Sequence, residues 1–284
     1  MLKSNFTGFI GAESDYKDAN VVIYGAPFDS TTSFRPGARF GPAAIRHESF
    51  GIETYSPYQD KDLTDYSIFD YGDIELPFGD TRRSLDMIKD LSSEILKDNK
   101  FPVLLGGEHL VTLGQVEALK EKYGDFYIIH FDAHCDLRED YLGCELSHAS
   151  VIRRCYDLLG KDRIFQFGIR SGDRPEFEFS KSGNTYMNKY NFCHLDEVVE
   201  KLKGKKVYFT LDLDVLDSSV FSGTGTPEAG GVTFMELLGA ILKVAKLDLI
   251  GLDMVELAPM LDASGQSTAL ACKTLREILL AVSK

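Results

Sequence analysis

Nowhere among the 284 residues do about twenty apolar residues run together, the length that a membrane-spanning helix needs. The opening stretch, Met1 to Phe9, mixes Lys, Asn and Thr with apolar residues and has no long apolar core, so no secretory leader is expected in it. Cysteine is sparse. The five residues Cys135, Cys144, Cys155, Cys193 and Cys272 are odd in number and include no CxxC pair. Neither a disulfide framework nor a zinc knuckle is expected from them; they suit free thiols in a reducing cytoplasm. Positive charge is in deficit: 31 Lys and Arg against 44 Asp and Glu leave −13. An acidic surface repels nucleic-acid phosphates and anionic lipid, so neither nucleic acid nor membrane is an expected partner. Internal repeats, low-complexity tracts and linkers rich in Pro, Gly and Ser are absent as well, so residues 1–284 read as one domain.

The apolar residues, 44% of the chain, are arranged in two alternating patterns. Short runs rich in β-branched and aromatic residues fall at 20–25, 66–71, 102–105, 126–131, 163–169, 206–211 and 247–252. Their length predicts strands buried on both faces. Between them lie helical periods. In 81–97, Leu85, Ile88, Leu91 and Ile95 recur at spacings of three and four. Thr233 and Glu236 form a capping box that opens a helix through Leu237, Leu238, Ile241 and Leu242, and a last helix spans 268–282. This alternation predicts an α/β fold: one three-layer α/β/α domain on a mainly parallel, roughly eight-stranded sheet.

Four of the runs end in acids or histidine. PVLL is followed by Glu108 and His109, FYIIHF by Asp132, His134 and Asp136, KVYFTL by Asp212 and Asp214, and LDLIGL by Asp253 and Glu256. In a parallel sheet the C-terminal ends of strands share one edge, where ligands bind. In extended chain, residues two apart face the same way, so Asp132, His134 and Asp136 are expected to point at one spot, as are Asp212 and Asp214. With His109 they make four carboxylates and two imidazoles. So many carboxylates together repel one another, and two divalent cations would cancel the four charges. Oxygen-rich ligands with imidazole suit manganese better than zinc. Two such ions about 4 Å apart can acidify a shared water near neutral pH.

Other residues admit plainer readings. Cys135 has the opposite parity and reads as core packing, as does His130 inside its strand; His47 and His194 have no such context. His148 lies in a polar loop twelve residues after Asp136, where a histidine can act as general acid or proton relay. The Gly-rich segment 222–231 lacks the Lys-Ser/Thr of a phosphate loop and reads as a loop beside Asp212 and Asp214. The three arginines in 34–46 lie in a rigid loop leading into a helix and are expected to pair with the acidic body.

Taken together, GGEH at 106–109, FDAHCD at 131–136, and DLDVLD with GTGTPEAGG over 212–231 closely resemble the metal signatures of the ureohydrolases, the arginase and agmatinase family. The segments 34–46 and 167–172 resemble the agmatinase type, and the likeness covers nearly the whole chain. It implies a site for two manganese ions, with His109, Asp132, Asp136, Asp214, Asp212 and His134 at the ligand positions. It implies attack by a metal-bridging hydroxide on a guanidinium carbon, a tetrahedral intermediate, and release of urea and an amine. Glu256, in DMVELAP, matches the guanidinium-binding glutamate, and a carboxylate suits that planar donor. His148 matches an active-site histidine that relays protons or places the substrate, and Asp136 also matches a group holding the hydroxide. Family members are commonly homotrimers or homohexamers. Three positions depart from the common pattern: Glu108 for Asp, Leu110 for Ser and Ser218 for Pro, none a ligand.

The loop 137–147 lacks the Asn/Thr/Ser-rich run by which arginases read the amino-acid end of arginine. It is acidic at Glu139, Asp140 and Glu145, which suits a cationic tail. The expected substrate is therefore a small cationic guanidino compound, agmatine, cleaved to putrescine and urea in polyamine biosynthesis. Guanidinobutyrate, arginine and formiminoglutamate are the alternatives; a substrate carboxylate would want Arg138 aimed at the metals. A two-metal phosphoesterase explains the acids but not Glu256, which repels phosphate. An inactive scaffold would lack a ligand or His148, and neither is missing.

Overall fold

The computed structural model describes residues 8–283, so most of the stretch Met1–Phe9 lies outside them. Along the described chain run strands β1 (Val21–Ala26), β2 (Tyr55–Ser56), β3 (Lys61–Asp62), β4 (Ile68–Asp73), β5 (Phe101–Gly106), β6 (Tyr127–Phe131), β7 (Ile164–Ile169), β8 (Tyr186–Lys189), β9 (Lys206–Asp212) and β10 (Asp248–Val255). The helices between them are α1 (Gly41–Glu48), α2 (Thr81–Lys97), α3 (Thr112–Tyr123), α4 (Val151–Leu159), α5 (Arg174–Lys181), α6 (Leu195–Leu202), α7 (Phe234–Val244) and α8 (Gln266–Val282). Among the described residues no helix is long and apolar enough to cross a membrane.

Strands β2 and β3 form a small antiparallel clip; the other eight make one sheet in the order β4-β1-β5-β10-β9-β6-β7-β8. Every ladder in that sheet is parallel. Alternate side chains enter two cores. Val21, Ile23, Val103, Leu105, Phe209 and Leu211 pack with α1, α6, α7 and α8 on one face. Val22, Tyr24, Leu104, Ile128 and Tyr208 pack with α2, α3 and α4 on the other. The result is the three-layer α/β/α arrangement, fully parallel where the sequence suggested mainly parallel.

Local signals set the helix limits. Asp80 caps α2 by accepting from Arg83 N at 3.1 Å, and α2 then runs over 81–97. The Thr233–Glu236 capping box opens α7. Helix α8 starts at Gln266, two residues before the apolar period shows it. Strand β8, Tyr-Met-Asn-Lys, has no apolar run because it is a partly exposed edge that pairs only with β7.

The register positions the functional edge. Phe131 pairs with Leu211, and Val255 with Asp212. The residues that follow β6, end β9 and follow β10 therefore come side by side. Strand β10, last in sequence, inserts between β5 and β9, so the four central neighbours β5, β10, β9 and β6 all discharge here. Gly107 lets the turn after β5 come close to the loop after β1: a Cβ there would lie 1.9 Å from the Phe28 carbonyl oxygen. Glu108 N donates to that same oxygen at 2.7 Å.

Candidate active site

His109 opens a 3₁₀ turn after β5, and its ring is buried. Nδ1 lies 3.1 Å from Asp132 Oδ2, 3.2 Å from Asp136 Oδ2 and 3.4 Å from Asp212 Oδ2. Nε2 is 2.9 Å from Thr210 Oγ1, and Thr210 donates its own proton to Asp253 Oδ1 at 2.7 Å. Thr210 must then accept from His109 Nε2–H, which leaves Nδ1 turned to the carboxylates. Asp253 also accepts from Thr112 Oγ1 at 2.9 Å and from the Tyr208 hydroxyl. Asp253 is among the acids that follow the LDLIGL run, whereas Thr210 did not stand out in the sequence; the available signal was a polar residue inside a buried strand. Thr210→Val is expected to weaken divalent-metal binding about 10–100-fold with the fold intact, because the imidazole loses the acceptor that orients it. Titration of stripped protein with manganese checks this, and Thr210→Ser should retain wild-type affinity.

His134, partly buried, places Nδ1 3.0 Å from Asp214 Oδ2 and 3.5 Å from Asp132 Oδ1. Asp132 thus faces both imidazoles. His130 reaches it too: Gln166 Nε2 donates to His130 Nδ1 at 3.1 Å, so Nε2 holds the proton and donates to Asp132 Oδ2 at 2.7 Å. His109, His130 and Asp132 lie within ligand distance of one another, as do Asp132, His134 and Asp214. His130 nevertheless has both nitrogens committed and acts as a donor. Its burial lowers its pKa and keeps it neutral. The sequence reading of His130 as core alone is therefore incomplete: the ring is in the core and also orients a site carboxylate.

The expected two-residue alternation does not bring these groups together. Strand β6 ends at Phe131, and Asp136 has φ of 51°. Asp132 Oδ1 accepts from His134 N at 2.5 Å, and Asp212 Oδ1 accepts from Asp214 N at 2.8 Å. Each Asp-x-His or Asp-x-Asp step is thus a turn closed by its first carboxylate. Asp212 caps the 3₁₀ turn Leu213–Val215, Asp214 lies within it, and all four aspartates still converge.

Two atoms test whether cations fit. His109 Nδ1 and Asp214 Oδ2 are buried without a hydrogen-bond partner. Around them, burial and the charge of Asp132 push Asp136 up to about 7. Burial and Asp214 push Asp212 well above the usual carboxylate range. A cluster of four buried carboxylates with two orphaned ligand atoms fits divalent cations, which supply the missing partners and cancel the repulsion.

His134, Asp136 and Asp212 line a cavity of ≈ 570 Å³ together with Glu256, His148 and Cys135, and His109, Asp132 and Asp214 lie against them. Glu256, at φ 68°, accepts from His109 N at 2.8 Å; burial and Glu108 push its pKa well up. Glu108 is not at the ligands. It points into the loop after β1, accepting from Thr31 N at 2.9 Å, from the Thr31 hydroxyl and from Thr32 Oγ1 at 3.0 Å, and burial raises it to about 7. Thr31 Oγ1 in turn accepts from His148 N at 3.1 Å, and Ser33 Oγ lies 3.1 Å from His148 Nε2. Glu108 thereby fixes the strap over His148. Burial lowers His148 to about 4, so it is a neutral imidazole at physiological pH. Cys135 is in the core, its thiol pushed up by burial.

The acidic loop differs from expectation. Glu139 and Asp140 face a separate groove beside Arg153 and Phe179, and Glu145 lies 3.4 Å from Arg154. The loop's contribution to the cavity is Arg138 and Tyr141. Of the arginines in 34–46, Arg39 pairs with Asp29, and Arg46 with Asp70 at 2.8 Å and with Asp73. Arg35 instead donates to the carbonyls of Thr224 and Gly225 at 2.8 and 3.1 Å, fastening the Gly-rich loop.

Comparison with known proteins agrees with this geometry. The Arginase family matches residues 19–281. The agmatinase of Bacillus subtilis (strain 168) is 47% identical over 97% of this chain and 96% of its own length. That of Bacillus anthracis is 50% identical over 96% and 95%. The crystal structure of the agmatine ureohydrolase of Thermoplasma volcanium superposes with a TM-score of 0.90 at 32% identity, covering 98% of this chain and 95% of that one. The chain belongs to the arginase family and is a ureohydrolase acting on a guanidino compound.

Proposed function

We propose that this chain hydrolyses agmatine to putrescine and urea. Two kinds of support meet: agmatinases at 47% and 50% identity, and a cavity in which His134, Asp136 and Asp212, three of six clustered metal-type ligands, share a wall with a separate buried carboxylate, Glu256. The observation that bears most weight is the pair of orphaned atoms, His109 Nδ1 and Asp214 Oδ2, buried against the Asp136, Asp212 and His134 side chains that line that cavity. His109, Asp132, Asp136, Asp212, Asp214 and His134 would hold two manganese ions. When bound, such ions supply Lewis-acid chemistry that makes water a nucleophile near neutral pH.

The chain's own groups do the rest. Glu256 faces the guanidinium, a planar cation with paired donors that a carboxylate meets through charge-assisted hydrogen bonds. Burial makes an empty Glu256 costly as an anion, so the arriving cation restores its charge and is held by it. His148, neutral and braced by Thr31 and Ser33, accepts a proton on the open side of the cavity and passes it toward the departing amine. Asp136 accepts a hydrogen bond from the attacking water. A phosphoester would meet Glu256 as a like charge, which disfavours the phosphoesterase reading.

The test is urea release by manganese-loaded protein from agmatine, arginine and 4-guanidinobutyrate, with metal content measured on the same sample. Agmatine is expected to exceed each of the others by about 100-fold or more in kcat/KM, the discrimination a site with paired polar groups can reach. Faster release from arginine would overturn the substrate assignment.

A further inference from the structure

Most charged groups in the wall of the active-site cavity are already engaged. Arg138 pairs with Asp173, lies 3.8 Å from Glu176 and stacks on Tyr141 at 4.8 Å. Glu176 is buried, accepting from Leu137 N at 2.9 Å and Asp173 N at 2.6 Å. Arg35 is turned into the backbone of the Gly-rich loop. Glu228 differs. Its carboxylate lines the same cavity, accepts from Ser171 Oγ at 2.8 Å through Oε1, and has no ion-pair partner among the described residues.

Its position is also fixed. Arg170 Nη2 donates to the Glu228 carbonyl at 3.0 Å and to the Asp214 carbonyl at 2.7 Å. One guanidinium therefore ties the backbone of Glu228 to that of a metal-type ligand. A carboxylate so anchored sits at a set span from the cavity floor, and a span is what distinguishes substrates by length.

We propose that Glu228 receives the terminal ammonium of the substrate while Glu256 receives its guanidinium, an assignment that rests on the agmatine reading above. The two carboxylates make the cavity selective for a dication with its charges at opposite ends. Phe34 and Tyr141, in the same wall, offer apolar surface to the methylenes between. A terminal carboxylate, as in 4-guanidinobutyrate, would meet Glu228 as a like charge, and Arg138 cannot compensate because Asp173 already engages it.

The test compares agmatine with n-butylguanidine, which has the guanidinium but no ammonium. Wild-type enzyme should prefer agmatine. Glu228→Gln should raise KM for agmatine about tenfold with little change in kcat, lower kcat/KM for n-butylguanidine at least threefold less than that for agmatine, and narrow the preference over 4-guanidinobutyrate. Glu228→Asp should recover part of the loss, and both variants should keep the wild-type metal content and melting temperature. An equal loss on both substrates, or an unmoved KM for agmatine, overturns the assignment of Glu228 alone. Wild-type enzyme that releases urea from n-butylguanidine but not from agmatine overturns the functional reading and this assignment together.

Discussion

Asp212→Asn is expected to lower urea release by about three orders of magnitude or more, the scale of losing metal-assisted transition-state stabilisation. The same substitution should raise the thermal midpoint of the metal-free protein. The two effects have opposite signs because Asp212 is useful only when its charge is balanced. In metal-free protein burial first, and then the charges of Asp214 and Asp132, hold its pKa well above the usual range. The amide oxygen of the variant can still accept from Asp214 N, a bond of 2.8 Å in the parent. The amide is neutral at every pH, so the cost of ionising a buried carboxyl beside two others is removed. A gain of about 1–2 kcal/mol corresponds to roughly 2–8 °C for a chain of this size. Calorimetry on stripped protein and a urea assay on loaded protein read the two effects. A metal-free midpoint that falls would mean the carboxylate is engaged in a stabilising contact, and the two-cation reading of the cluster would lose its main physical support.

The clustered acids and histidines were legible in the sequence because chain and sheet share a simple rule: apolar runs that become parallel strands place their following residues on one edge. His109, Asp132, Asp136, Asp212, Asp214 and Glu256 all follow that rule or end a strand. What held them was not legible. The Thr210–Asp253 bond and the His109–Thr210 bond join residues 43 and 101 positions apart, and they exist only because β10 inserts between β5 and β9. No local period encodes strand order. The alternation argument picked out residues that do converge, but by the wrong geometry, since Asp132 and Asp212 each bend the chain by accepting a backbone hydrogen bond two residues on. The loop 137–147 was misread for a related reason. Its acidity is visible in the sequence, but the direction of each side chain depends on Arg153, Arg154 and Asp173, which lie elsewhere in the chain.

Removing the metal should reverse the sign of the protein's stability against pH. In metal-free protein, burial first and then neighbouring charge raise Asp136 to about 7, with Asp212 and Glu256 well above the usual range and Glu108 at about 7. A carboxyl raised in the folded state contributes stability that is full below its unfolded pKa, about 4, and is lost as pH rises through the folded value. His109 and His134 act in the same direction: burial opposes their charge, but the facing aspartates outweigh it and raise both. Burial lowers His148 to about 4 and also lowers His130, and these two favour the higher pH. Asp132, held well below the usual range, stays ionised above pH 5 and adds no slope there. Six groups against two make metal-free protein less stable at pH 8 than at pH 5. Metal-loaded protein has the opposite slope, because each ligand must give up its proton to bind a cation. Melting curves with manganese and with chelator should therefore diverge as pH rises from 5 to 8, and calorimetric titration near pH 7 should show release of more than one proton on metal binding. Parallel curves would mean that the carboxylates are not the cation's ligands, since only a group that exchanges a proton for the metal can turn one slope into the other.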